Sequence, residues 1–155
     1  MKKVNLKAAA DEFEIISDEI HLFYNTKTGE FDSYTDFDDD IDGIDDKDSN
    51  AEKFKNKAWI ACPSQWDINE YRIMTDFAET VTDLHKNELL CVALRGSGAF
   101  RRFKDTLHRT NLLDKWYEFK QKAFMKIAKE WCDEHRIKYD DDILLISKND
   151  KKNQN

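Results

Sequence analysis

The segment Arg95-Gly-Ser-Gly-Ala-Phe-Arg-Arg-Phe-Lys-Asp-Thr-Leu-His-Arg109 gathers five Lys/Arg against one Asp, a local charge of about +4 in a chain whose net charge is −7. Gly96 and Gly98 flank Ser97 just ahead of a helical pattern. Glycines there let the backbone turn tightly and present N–H groups. Arg101, Arg102 and Lys104 follow in the first turns of the helix. Exposed N–H groups beside basic side chains make an anion pocket, and arginine adds bidentate geometry for phosphate or carboxylate. The sequence therefore predicts an anion-binding site at Gly96, Ser97, Gly98, Arg101, Arg102 and Lys104. A structural reading stands beside it. In that reading Gly96 ends one helix, Ser97 is the N-cap of the next, and the arginines pair with acidic groups elsewhere. Cations in a first helical turn oppose the helix dipole, so either reading requires something negative nearby.

The other residues capable of chemistry lack the spacing that chemistry needs. Asp38-x-Asp40-x-Asp42-Gly43 opens like a calcium loop. Its twelfth position is Ser49 rather than a bidentate acid, its eighth is Asp45, and no amphipathic helix flanks it. Cys132 and His135 stand three apart on one helix, a metal-ligand spacing without two further ligands. His85 and Cys91 have no shared helical face. No nucleophile-elbow or phosphate-loop motif occurs, and the Gly96–Gly98 turn follows a helix rather than a strand, which excludes a dinucleotide fingerprint. The expectation is no catalytic residue, no metal ligand and no cofactor.

Charged residues make up 37% of the chain and hydrophobic residues 40%, enough for a core beneath a heavily charged surface. The net acidity argues against a general nucleic-acid binder but leaves room for a local basic patch. No apolar run approaches the roughly 20 residues that span a bilayer. Met-Lys-Lys-Val-Asn-Leu lacks the apolar stretch of a secretory signal. Cys62, Cys91 and Cys132 are odd in number and lie in apolar sequence, which reads as reduced core thiols in a cytoplasmic protein. The expected partner is an anionic ligand or an acidic surface, with nucleic acid a weaker expectation and no membrane.

The elements that must position the basic segment are legible as patterns. Leu6, Ala9, Ala10 and Phe13 make one face of a short helix. Ile20, Leu22 and Tyr24 alternate as a strand, residues 25–30 supply a turn with Gly29 at its end, and Phe31–Thr35 returns as a hairpin. Residues 36–53 read as an acidic loop insertion: positions 31–50 hold nine Asp and one Lys, about −8. Self-repulsion favours a solvated loop, and its charge is expected to compete with outside anions for the basic segment. Ala58–Cys62 is a third strand. Four or five helices follow. One is capped by Ser64 or Asp67, with a stripe of Tyr71, Met74, Phe77, Ala78, Val81 and Leu84. A second contains Leu89–Leu94, and a third shows Phe100, Phe103 and Leu107 on one face. A long helix opens near Asn111 or Asp114 and carries Trp116, Tyr117, Ala123, Phe124, Ile127, Ala128 and Trp131. Ile143–Ile146 reads as a last short strand. The expected architecture is α+β: a small antiparallel sheet packed against these helices in a single domain over 1–147, with 148–155 a disordered polar tail. Phe100, Phe103, Leu107, Trp116, Phe124 and Trp131 are expected to share the core.

Thr28-Gly29-Glu30, Pro63, Met74-x-x-Phe77, the run Gly98-Ala-Phe-Arg-Arg-Phe-Lys-Asp105 and Trp116-Tyr-x-Phe119 resemble a bacterial protein family of unknown function over about residues 20–137. The resemblance implies a cytoplasmic protein and marks the Arg101/Arg102 region as the family's fingerprint. It implies no catalytic residue. The sequence leads to a non-enzymatic binding or regulatory module with an anion-binding helix N-terminus. An enzyme acting on a phosphorylated small molecule and a purely structural interaction module are the alternatives.

Overall fold

The computed structural model describes residues 3–35 and 52–140. Its elements, in chain order, are β1 (Val4–Asn5), α1 (Leu6–Phe13), β2 (Ile20–Asn25), β3 (Phe31–Thr35), a 3-10 turn at Lys53–Lys55, β4 (Trp59–Ala61), α2 (Gln65–Ile68), α3 (Glu70–Thr80), α4 (Leu84–Ala93), α5 (Ala99–Arg109), α6 (Leu113–Glu134) and β5 (Tyr139–Asp140). This is an α+β fold. The acidic stretch 36–51, Ile143–Ile146 and the 148–155 tail lie outside the described residues. The chain forms two compact units, Met1–Ile68 with Phe124–Asn155, and Asn69–Ala123. Helix α6 contributes its second half to the first unit and its first half to the second.

In the first unit the local signals act as their chemistry dictates. Asn5 caps α1 by accepting from the Ala8 N–H at 3.0 Å, and Leu6, Ala9, Ala10 and Phe13 are all buried. The hairpin pairs Tyr24 with Phe31 and Ile20 with Thr35. Its turn is held by Asn25, whose side-chain oxygen accepts from the N–H groups of Lys27 (2.8 Å) and Thr28 (3.0 Å), while Gly29 takes the left-handed φ of 77°. Strand β4 joins the free edge of β2 antiparallel, for the order β3-β2-β4. Leu22 and Tyr24 alternate inward. There the Trp131 ring meets Phe13 at 5.6 Å and Tyr24 at 5.7 Å, both edge-on, and its Nε1 donates to the Ala61 carbonyl at 2.9 Å. That single side chain ties α6 to α1, β2 and β4. Strand β5 pairs parallel with β1, a contact between chain ends that no sequence pattern announced.

The second unit is helical. Its core is an aromatic cluster in which Phe77 meets Trp116 at 5.5 Å and Phe119 at 5.4 Å, and Phe103 meets Trp116 at 5.0 Å, all edge-on. Four expectations are corrected. Ser64 does cap a helix, in a reciprocal pair with Asp67, but that helix lasts four residues. Asn69 then turns to φ 52° and caps α3 separately, its side chain accepting from Arg72 N–H. The apolar stripe also does not run on to Leu84. Helix α3 ends at Thr80, Asp83 caps α4, and Leu84 is 80% exposed at the start of the new helix. Phe100 is 48% exposed while Phe103 and Leu107 are buried, because the covered face of α5 is defined by positions 99, 103, 106 and 107. Trp131 finds its ring partners at Phe13 and Tyr24 rather than among the aromatics of α5.

Candidate functional site

Helix α4 ends at Ala93 and α5 begins at Ala99, and the five residues between them must turn the chain back. Gly96 (φ 73°) and Gly98 (φ 76°) both take the left-handed conformation that other residues rarely adopt. Ser97, the expected N-cap, does not cap. Gly98 occupies that position, and no side chain bonds the first-turn N–H groups of α5. A run of cations follows them in the sequence, at Arg101, Arg102 and Lys104.

Arg102 is the residue that organises the turn. Its main-chain N–H donates to the Gly98 carbonyl at 3.1 Å. Its side chain folds back so that Nε donates to the Ala93 carbonyl at 3.2 Å, while the two terminal nitrogens donate to the carbonyls of Arg95 and Ser97. These acceptors belong to the end of α4 and the turn after it, where carbonyls have no intrahelical donor. A guanidinium carries five N–H donors, so this arrangement commits three and leaves two. A Cβ on Gly98 would stand 3.2 Å from the Arg102 Nη1, which adds a packing reason for glycine there. From α3, the Tyr71 hydroxyl donates to the Leu94 carbonyl at 2.8 Å and pins the same turn.

The remaining cations are placed differently. Arg101 and Lys104 are exposed on the outer face of α5, one turn apart. Among the described residues, Arg95, Arg101 and Lys104 have no carboxylate partner; the ion pairs present join Lys3 to Asp140, Lys53 to Asp32, Lys55 to Glu52, Lys120 to Glu70 and Lys122 to Glu118. The face of α5 that carries Arg102 and Arg109 instead borders a groove of about 700 Å³ against α4, lined also by Leu89, Val92, Asp105 and Thr106. Thr106, buried at the base, donates to the Arg102 carbonyl at 2.7 Å and accepts from Arg109 at 3.3 Å, which steers that arginine along the wall. Sequence reasoning missed the groove. Arg109, inside the basic run, and Val92, an apolar residue opposite buried Ala93's flank, were its available signals.

The other candidate chemistry comes apart in three dimensions. Cys132 is fully buried and His135 is exposed, so their helical spacing brings no shared site. Burial pushes the Cys132 thiol up to about 12, and burial, then the neighbouring Cys132, pushes Cys62 up as well. Cys91, expected in the core, is exposed, with Sγ 3.8 Å from Asn87 Oδ1. A second cavity of about 480 Å³ in the first unit is lined by Cys62, Asp67, Glu130, Trp131, Glu134 and His135 among others. Among the described residues no three His, Cys, Asp or Glu side chains are placed to hold a metal ion, and no helix is long and apolar enough to cross a membrane.

A family model matches residues 3–150, almost the whole chain. The chain belongs to the uncharacterised protein family UPF0158. No curated protein and no solved structure matches it. Within this UPF0158 member, the functional reading therefore rests on the α4–α5 turn and its surroundings.

Proposed function

We propose that this UPF0158 protein is a non-enzymatic binding module that receives an anionic partner group at the start of α5. The contact surface comprises the N–H groups after Gly98 and the side chains of Arg101 and Lys104, with Arg95 beside them. Gly96, Ser97, Gly98 and Arg102 serve it by holding the turn. The observation that carries this reading is the cluster of cations at the start of α5, Arg95, Arg101 and Lys104, without carboxylate partners among the described residues. Positive charge at a helix N-terminus opposes the macrodipole. A bound anion relieves both the repulsion among the cations and the orphan N–H groups.

Heparin provides the test, titrated at low salt against intact protein and against Arg101→Glu with Lys104→Glu. The double variant places two carboxylates where the anion would sit and should abolish saturable binding. Binding by the intact protein should fall steeply as salt rises, as phosphate-type contacts do. Equal affinity of the two proteins would overturn the reading.

A further inference from the structure

The groove between α4 and α5 combines two chemistries that a simple anion does not use together. Its floor and near wall are apolar: Leu89 is half-buried, Val92 is 57% exposed and Ala93 lies beneath them. Its far wall carries Arg102, Asp105, His108 and Arg109. Arg102 and Arg109 lie seven residues apart on one helix, about 10.5 Å along its axis at 1.5 Å per residue. Asp105 stands between them. The wall therefore reads plus, minus, plus at two-turn spacing.

We propose that this groove docks an acidic amphipathic helix of a partner protein. The groove lies on a different face of α5 from the anion-binding surface above and stands independently of that reading. An amphipathic helix laid in a groove reads out anchors at i, i+3, i+4 and i+7. Carboxylates at i and i+7 match the two arginines, whose planar groups bind them bidentately. Arg102 keeps two N–H donors for this purpose after bonding the turn. A neutral or basic residue at i+4 meets Asp105, and an acidic residue there is repelled, which sets the register. Aliphatic side chains on the adjoining face cover Leu89 and Val92. A nucleic-acid backbone supplies negative charge but nothing to cover that floor.

The probe is a fluorescein-labelled synthetic helical peptide with Glu at i and i+7, Lys at i+4 and leucines on the adjoining face. A scrambled peptide of equal composition is the control, and anisotropy on the full chain reads affinity. The designed peptide should bind at least ~10-fold more tightly than the scrambled one, and Val92→Asp and Arg109→Glu should each weaken it by ~10-fold or more, as loss of a central anchor does. Val92 is exposed, so its replacement should leave the fold intact, and circular dichroism is the check that both variants fold. Arg101→Glu with Lys104→Glu should leave peptide affinity within ~3-fold while abolishing heparin binding, since those residues face away from the groove. Equal binding of the two peptides, or indifference to Val92→Asp, overturns the groove proposal, and heparin binding that persists in that case leaves the broader anion reading standing. Single-stranded RNA displacing the peptide in a Val92-dependent manner overturns the choice of a protein partner.

Discussion

Replacing Arg102 by alanine removes the brace of the α4–α5 turn, and its cost follows from where the three acceptors lie. The bond to the Ala93 carbonyl is partly buried, and such a bond contributes about 0.5–1.5 kcal/mol net. The bonds to the Arg95 and Ser97 carbonyls are exposed. Water replaces the arginine at both, so each contributes at most a few tenths of a kcal/mol. The sum is about 0.5–2 kcal/mol. At roughly 2–4 °C per kcal/mol for a chain of this length, the melting temperature should fall by about 1–8 °C. Urea denaturation followed by far-UV circular dichroism measures the change, with an unaltered m-value showing that the unfolding transition itself is the same. Arg102→Lys keeps the charge but offers one compact donor group in place of a fork, so it should recover less than half of the loss. Arg101→Ala is the control: it removes an equal charge that braces nothing, and should stay within about 0.5 kcal/mol of the parent. If Arg102→Ala unfolds at the same urea concentration as Arg101→Ala, the brace contributes nothing and the assignment of Arg102 to the turn is wrong.

Trp131→Ala should destabilise by about 3–5 kcal/mol, because it opens a cavity between Phe13 and Tyr24. Trp131→Phe keeps most of that packing and should cost far less; a loss below about 1 kcal/mol for the alanine variant would place the ring outside the core. Asp32 accepts a hydrogen bond from Lys53, which holds its carboxyl below the ordinary value of 3.8. A depressed carboxylate contributes stability that is present above its unfolded value and lost as pH falls through the folded one. The acid limb of a stability–pH profile should therefore flatten below about pH 4 in Asp32→Asn, and identical limbs would remove the pair from the account. Thiol titration with a disulfide reagent at neutral pH should modify exposed Cys91 quickly. Cys132, buried and held up to about 12, should react only after unfolding, while half-buried Cys62, also pushed up by burial, should react more slowly than Cys91. Three thiols reacting at one rate would contradict that burial.

The α+β class and the first unit's outline were legible because their signals are local. The spacing of Leu6, Ala9, Ala10 and Phe13 chooses a buried helical face without help from distant residues. Asn25 and Gly29 close the hairpin through bonds within six residues. Gly96 and Gly98 marked the turn for the same reason: a left-handed φ is a property of one residue. Tertiary structure alone decided the rest. Periodicity names an apolar face but not whether a neighbour covers it, so Phe100, Leu84 and Cys91 read as core and stand in solvent. Neither helix break, at Asn69 nor at Val81–Asp83, carries a glycine or proline, and capping by Asn69 and Asp83 ended those helices where propensity would have continued them. Arg102 shows the limit most clearly. An arginine beside two glycines is written in the sequence, but whether its donors face an outside anion or three carbonyls depends on where the returning chain places those carbonyls. A long side chain's partners are fixed by the backbone that comes back to meet it, and local spacing holds no record of that return.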